Sequence, residues 1–152
     1  DTQKPTKPVL ADVTGECSAT ATAPTTTDAC SGTITGTTTD PLTYNTQGTH
    51  NITWSFDDGN GNVETAVQKV IVKDTQKPTK PVLADVTGEC SATATAPTTT
   101  DTCSGTITGT TTDPLTYNTQ GTHNITWSFD DGNGNVETAV QKVIVKDTQK
   151  PT

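Results

Sequence analysis

The sequence predicts an all-β chain of two small tandem β-sandwiches, and three observations carry that prediction. First, shifting the chain by 73 positions lays Asp1–Lys73 on Asp74–Lys146 with one mismatch, Ala29 against Thr102. Such self-similarity marks a repeat protein and must be settled before any element is assigned. Second, apolar residues alternate with polar ones at period two. Third, Pro, Gly and Asn punctuate the chain at short intervals, as turns between short strands require. The expected domains are therefore 1–73 and 74–146. Residues 147–152 repeat Asp1–Thr6 and are read as the start of a third copy.

Within one copy, His50–Asp57 is the clearest strand, with Ile52, Trp54 and Phe56 on one face and Thr53 and Ser55 on the other. Cys17, Ala19, Ala21 and Ala23 alternate with Ser18, Thr20 and Thr22, predicting a strand whose small inner face leaves room for Trp54. Pro8–Val13 is expected as an edge strand, because Pro8 has no amide to give a ladder. Thr33–Thr39 and Leu42–Asn45 are shorter candidates. In Val63–Lys73, Val63 and Val67 are out of phase with Val70 and Val72, which predicts a bulge between them. No stretch has a helical period. Six or seven short strands with turns between them describe a sandwich.

Composition narrows the function classes. Each copy carries eight acids against four lysines, the chain has net charge −8, and arginine is absent. That balance excludes a nucleic-acid surface, which is basic and arginine-bearing. No apolar run is long enough to span a bilayer, so no membrane insertion is expected. No targeting signal opens the sequence, and one is expected outside it. Each copy holds two cysteines, Cys17 and Cys30, then Cys90 and Cys103. Four cysteines allow three pairings, and duplication favours one bridge inside each copy. Disulfides imply an oxidising compartment. One conflict arises: if Ser18–Ala23 is an ordinary strand, Cys17 and Cys30 start at opposite poles of the domain. Either Pro24–Cys30 folds back, or the strand assignment fails there.

The order of five motifs then resembles the hyalin-repeat family. They are Asp-Val-Thr-Gly-Glu-Cys (12–17), Asp-Ala-Cys-Ser-Gly (28–32), Gly-Thr-His-Asn-Ile-Thr-Trp (48–54), Asp-Asp-Gly-Asn-Gly-Asn (57–62) and Val-Ile-Val-Lys-Asp-Thr (70–75). The variant looks most like repeats of giant flavobacterial surface adhesins of the gliding-motility type. The linker departs from the family's commoner form, with Gln76-Lys77-Pro78 in place of consecutive prolines. The resemblance implies an immunoglobulin-like sandwich, a secreted or cell-surface location and a role in cell adhesion or spacing. It brings no catalytic residues, and near-identity between copies also argues against an enzyme.

The strongest candidate constellation is acidic. In immunoglobulin topology two loops meet at the pole where the chain enters. That gathers Asp101, Asp130, Asp131, Asn133 and Asn135 of the second copy with Asp74, and Asp1, Asp28, Asp57, Asp58, Asn60 and Asn62 in the first. Asp12, Glu16 and Asp40 are expected at the exit pole. Ca²⁺ takes six to eight oxygens, and the cofactor expectation is a Ca²⁺ that stiffens the joint between repeats. The alternative is solvated hairpin acids without metal. The Asp58 loop is not an EF-hand, since Val63 and Lys69 replace the required glycine and glutamate. His50 and His123 are read as solitary surface residues on the polar phase. The Asn51-Ile52-Thr53 and Asn124-Ile125-Thr126 sequons and the Thr-x-Thr runs are read as unselective surface. The expected partners are neighbouring repeats and, as an alternative function, a glycan, protein or ice ligand bound multivalently by exposed loops. The chain is expected to be a monomer.

Overall fold

The computed structural model describes all 152 residues. They form fourteen strands, seven in each copy, and no helix, so the all-β expectation holds. Two compact units result, Asp1–Asp74 and Thr75–Thr152. In the first, the strands are β1 (Val13–Gly15), β2 (Ala19–Thr20), β3 (Thr25–Asp28), β4 (Gly32–Thr35), β5 (Thr43–Tyr44), β6 (Gly48–Asp57) and β7 (Val63–Val72). A three-stranded sheet has the order β1-β7-β6, with β1 parallel and β6 antiparallel to β7. The antiparallel pair β2-β5 and the hairpin β3-β4 form two further ladders. Thr37 bridges to Ser55, tying the chain after β4 to the outer side of β6.

The long β6–β7 hairpin is the backbone of the unit. Its register runs without interruption from Gly48↔Val72 to Asp57↔Val63, so the expected bulge is absent. The reason is a polar residue on the inner row. Ala66, Gln68, Val70 and Val72 all point inward and are buried, while Val63 and Val67 stay on the outer face. Gln68 is tolerated there because its amide is fully used. Its Oε1 accepts the Trp54 indole N–H at 2.9 Å, and its Nε2 donates to the Ala11 carbonyl at 3.0 Å. A buried polar group whose partners are satisfied costs little.

Facing Gln68 across the hairpin, Ile52, Trp54 and Phe56 are buried as expected. They share one cluster with Ala19, Ala21, Ile34, Ala66, Val70 and Val72, and Leu10, Val13 and Tyr44 pack at its margin. Ala19 and Ala21 thus supply the small inner face expected opposite Trp54, but Ala23 is exposed and the ladder there is only two residues long. Pro8–Asp12 is not a strand. Val9 is fully exposed, and only Val13–Gly15 pairs. Gly15 is required where β1 ends, because a Cβ would lie 1.9 Å from the Ser18 carbonyl oxygen. His50 is not on the polar phase. It shares parity with Ile52, is half-buried, stacks on Tyr44 at 4.5 Å, and its Nε2 lies 2.9 Å from the Thr46 carbonyl oxygen.

The second unit repeats this plan through β8 (Val86–Gly88), β9 (Ala92–Thr93), β10 (Thr98–Asp101), β11 (Gly105–Thr108), β12 (Thr116–Tyr117), β13 (Gly121–Asp130) and β14 (Val136–Val145). Trp127 takes the place of Trp54 and donates to Gln141 at 2.9 Å.

Candidate functional site

Ten residues of β6 at about 3.3 Å each make a strand some 30 Å long, which gives the unit two distant poles. At the Asp57 end, the β3–β4 turn, the β6–β7 loop and the start of the chain meet. Asp28 Oδ2 accepts the amides of Cys30 and Ser31, both at 3.0 Å, so the carboxylate closes its own turn. The Ser31 hydroxyl donates to the Asp58 carbonyl at 2.8 Å and joins turn to loop. In the loop, Asp57 Oδ1 accepts the Gly59 amide, and Asp58 Oδ1 accepts the amides of Asn60 and Asn62. Gly59 and Gly61 hold φ values of 80° and 92°, which side-chain-bearing residues rarely adopt. Asn62 Nδ2 donates to Asp58 Oδ2 at 2.8 Å and to the Asp1 carbonyl at 3.2 Å, while Asn60 Nδ2 donates to Asp1 Oδ2 at 3.4 Å. Most of these predicted ligands are therefore engaged in shaping the loop.

Asp58 is buried at 7 % exposure. Burial pushes its carboxyl up, but the Asn62 side chain, the amides of Asn60 and Asn62 and the nearby chain amino group outweigh burial and hold it below the usual 3.8. A carboxylate lowered in the folded state stabilises the fold above its unfolded value and loses that contribution as pH falls through the folded one. Urea melts taken from pH 5 downward should therefore weaken below about pH 3.8, and Asp58→Asn should flatten that decline. An unchanged acid limb in the variant would remove Asp58 from the account.

Beyond the loop, Asp1, Asp28 and Cys30 place one candidate ligand atom each within 4.8 Å of one another. In the second repeat Asp101 closes its turn in the same way, its Oδ2 accepting the amides of Cys103 and Ser104 at 3.0 Å. Its Oδ1 is buried and has no hydrogen-bond partner. Asp130 and Asp131 shape the loop as Asp57 and Asp58 do, and Asn135 Nδ2 returns to Asp131 Oδ2 at 2.8 Å. Asp74 is buried at 3 % exposure, whereas its equivalents Asp1 and Asp147 are exposed.

The other predicted acids lie elsewhere. Asp40 Oδ2 accepts the Thr53 amide at 2.8 Å, midway along β6, and lines a shallow groove with Thr37, Thr38, Thr39 and Ser55. Asp12 lies exposed beside β1, whose Val13 pairs with Val70. Glu16 is at the Gly48 pole, where Gln47 Nε2 donates to its carbonyl at 2.8 Å and Gln47 Oε1 accepts the Asp74 amide at 2.7 Å. In the second repeat the equivalent Glu89 accepts both the amide and the hydroxyl of Thr148 at 2.7 Å. The glutamate and glutamine thus dock the linker onto the repeat that precedes it. Sequence reasoning missed Gln47 and Gln120, because an isolated glutamine before a Gly-Thr turn carries no motif.

The expected bridges Cys17–Cys30 and Cys90–Cys103 are not formed. Cys17 and Cys103 are disulfide-bonded, and Cys30 and Cys90 are free thiols. The poles explain why. Cys17 follows Glu16 at the Gly48 end, and Cys30 precedes Ser31 at the Asp58 end. A disulfide needs Cα atoms within about 7 Å, far less than the length of β6. The strand reading of the Cys17–Ala23 segment was nearer the truth than the pairing.

No family model matches the chain, and no curated protein resembles it closely enough to count as a relative.

Proposed function

We propose that the chain is a non-catalytic tandem-repeat segment of an extracellular bacterial surface adhesin, serving as a stalk that holds an adhesive end away from the cell. The observation that carries this reading is the repetition of a complete unit, core, turns and linker dock alike, in two near-identical copies. A spacer is selected for length and tolerates identical modules. The linker dock supports the same reading, since Gln47 and Glu89 fix where the following segment leaves the repeat. The resemblance to hyalin repeats of gliding-type adhesins agrees in location and role.

A second reading is multivalent ligand binding, favoured by one observation. The threonine-lined groove recurs in the second repeat at Thr110, Thr111, Thr112, Asp113, Thr126 and Ser128. Identical weak sites on one chain gain avidity without any new contact. Immobilised chain should retain no glycan, cell or ice surface if it is a spacer. Specific retention that is lost in the Asp40→Ala/Asp113→Ala variant would replace the spacer reading with this one.

Calcium belongs to the proposal through the buried, unpartnered oxygen of Asp101 and the proximity of Asp1 to Asp28. Carboxylate oxygens suit this hard cation, and the soft Cys30 thiol does not, so Asp1 and Asp28 would hold it and the remaining ligands would have to be other oxygens. Ca²⁺ titrated into chelator-treated chain should release or absorb heat and raise the melting temperature, since a ligand of the folded state stabilises it. Asp101→Asn retains an acceptor for the turn amides and should lose part of both effects. No heat and no melting shift in the unsubstituted chain would sink the calcium proposal.

A further inference from the structure

The β6–β7 loop contains the pair Asn60-Gly61, repeated in the second unit as Asn133-Gly134. The other asparagines of the first copy are Asn45, Asn51 and Asn62, and a β-branched residue follows each of them. Asn60 and Gly61 are both exposed. Asp58 Oδ1 holds the amides on either side of their shared peptide unit, that of Asn60 at 2.7 Å and that of Asn62 at 3.2 Å. The unit itself is unheld, since neither the Asn60 carbonyl nor the Gly61 amide makes a hydrogen bond. We propose that Asn60-Gly61 and Asn133-Gly134 are sites of spontaneous covalent modification, at which the side-chain nitrogen leaves as ammonia and an acidic residue remains.

The Gly61 amide nitrogen, having given its proton to solvent hydroxide, attacks Asn60 Cγ. The new N–Cγ bond closes a five-membered imide, and the Cγ–Nδ2 bond breaks with release of ammonia. Water then opens the ring. Attack at Cγ leaves aspartate, while attack at the backbone carbonyl leaves isoaspartate, in which the chain runs through the side chain. One water is taken up, one ammonia is released, and nothing is oxidised. Two features single out this pair. Gly61 has no Cβ to shield its nitrogen, whereas Thr46, Ile52 and Val63 each carry a branched Cβ beside theirs. The Asn60-Gly61 peptide unit can also turn toward the side chain without breaking a hydrogen bond, whereas Ile52 lies inside the β6 ladder.

The product changes the loop in two ways. Asn60 Nδ2 donates to Asp1 Oδ2 at 3.4 Å, and a carboxylate in its place faces that oxygen as a like charge. Isoaspartate also adds a backbone methylene between the two amides that share Asp58 Oδ1, lengthening the span that this carboxylate closes. Both changes weaken the hold of the loop on Asp1. Each event adds one negative charge, taking the chain from −8 to −9 and, with both repeats converted, to −10. The inference is independent of whether the repeats act as a spacer, bind a ligand or hold calcium.

To test it, the intact chain is aged in warm, mildly alkaline buffer. Samples are followed by isoelectric focusing and by mass mapping with electron-transfer fragmentation, which separates aspartate from isoaspartate. Bands with one and then two added charges should grow, with both products found at Asn60 and Asn133 ahead of every other asparagine. The folded chain should convert within about tenfold of the rate in urea, a barrier difference of about 1.4 kcal/mol. Asn60→Gln/Asn133→Gln should keep the starting charge over the same period, because glutamine has to close a larger ring. A folded chain protected by far more than tenfold relative to the unfolded one would overturn the proposal. Modification that begins at Asn45, Asn51 or Asn62 would overturn it as well.

Discussion

Trp54→Ala should unfold the first repeat at a markedly lower urea concentration while leaving the second standing. Trp54 is 2 % exposed at the centre of its cluster, and truncating a buried tryptophan costs about 3–5 kcal/mol through lost burial and the cavity left behind. A 73-residue β-unit has little stability to spare, so this loss is a large share of the whole. The substitution also provides its own reporter. Trp127 becomes the only tryptophan, and its fluorescence follows the second repeat alone. Far-ultraviolet circular dichroism should split into two transitions, with the fluorescence midpoint matching the upper one. Fluorescence that collapses with the lower transition would show that the repeats do not fold as separate units.

The second large effect is expected at Gln68, the residue that conceals the β7 pattern. Gln68→Leu keeps approximate size but leaves the Trp54 indole N–H buried without an acceptor. The Ala11 carbonyl can turn to water because Ala11 is exposed, whereas the indole cannot. An unsatisfied buried donor costs about 1–3 kcal/mol, and that is the expected loss in the first repeat. Adding Trp54→Phe removes the orphaned donor together with its partner. The double substitution should then be less destabilising than the sum of the two single ones, a coupling that a double-mutant cycle in urea measures. Simple additivity would mean that the Gln68 amide does not matter for Trp54.

These two residues mark what was legible in the sequence. Strict alternation through Ile52, Trp54 and Phe56 identified the central strand, because each inner position there is apolar. The partner strand was misread as bulged because Ala66 and Gln68 occupy inner positions without looking like core. Their parity with Val70 and Val72 was present, but a paired polar side chain is invisible to a hydrophobic count. The turn acids of the candidate site were legible as a group, since Asp-Asp-Gly-Asn-Gly-Asn names its own loop. Their roles were not. Asp57 and Asp58 spend their oxygens on loop amides, and only the Asp1/Asp28 pair, with Asp101 in the second repeat, keeps a case for a cation. Asp40 was placed by loop order alone, and its carboxylate meets the middle of β6 instead. The cysteines failed for a related reason. Twelve intervening residues say nothing of direction, and here they climb most of one domain. Duplication logic favoured a bridge per copy, but the length of β6 forbids it.

The most direct test of the claim that no bridge closes within a repeat is the oxidation state of each cysteine in the intact chain. The chain is denatured without reductant, alkylated, digested and mapped by mass. The expected result is alkylation at Cys30 and Cys90, with the peptides of Cys17 and Cys103 recovered only after reduction. Recovery of Cys17 linked to Cys30 and Cys90 linked to Cys103, with no site alkylated, would contradict it.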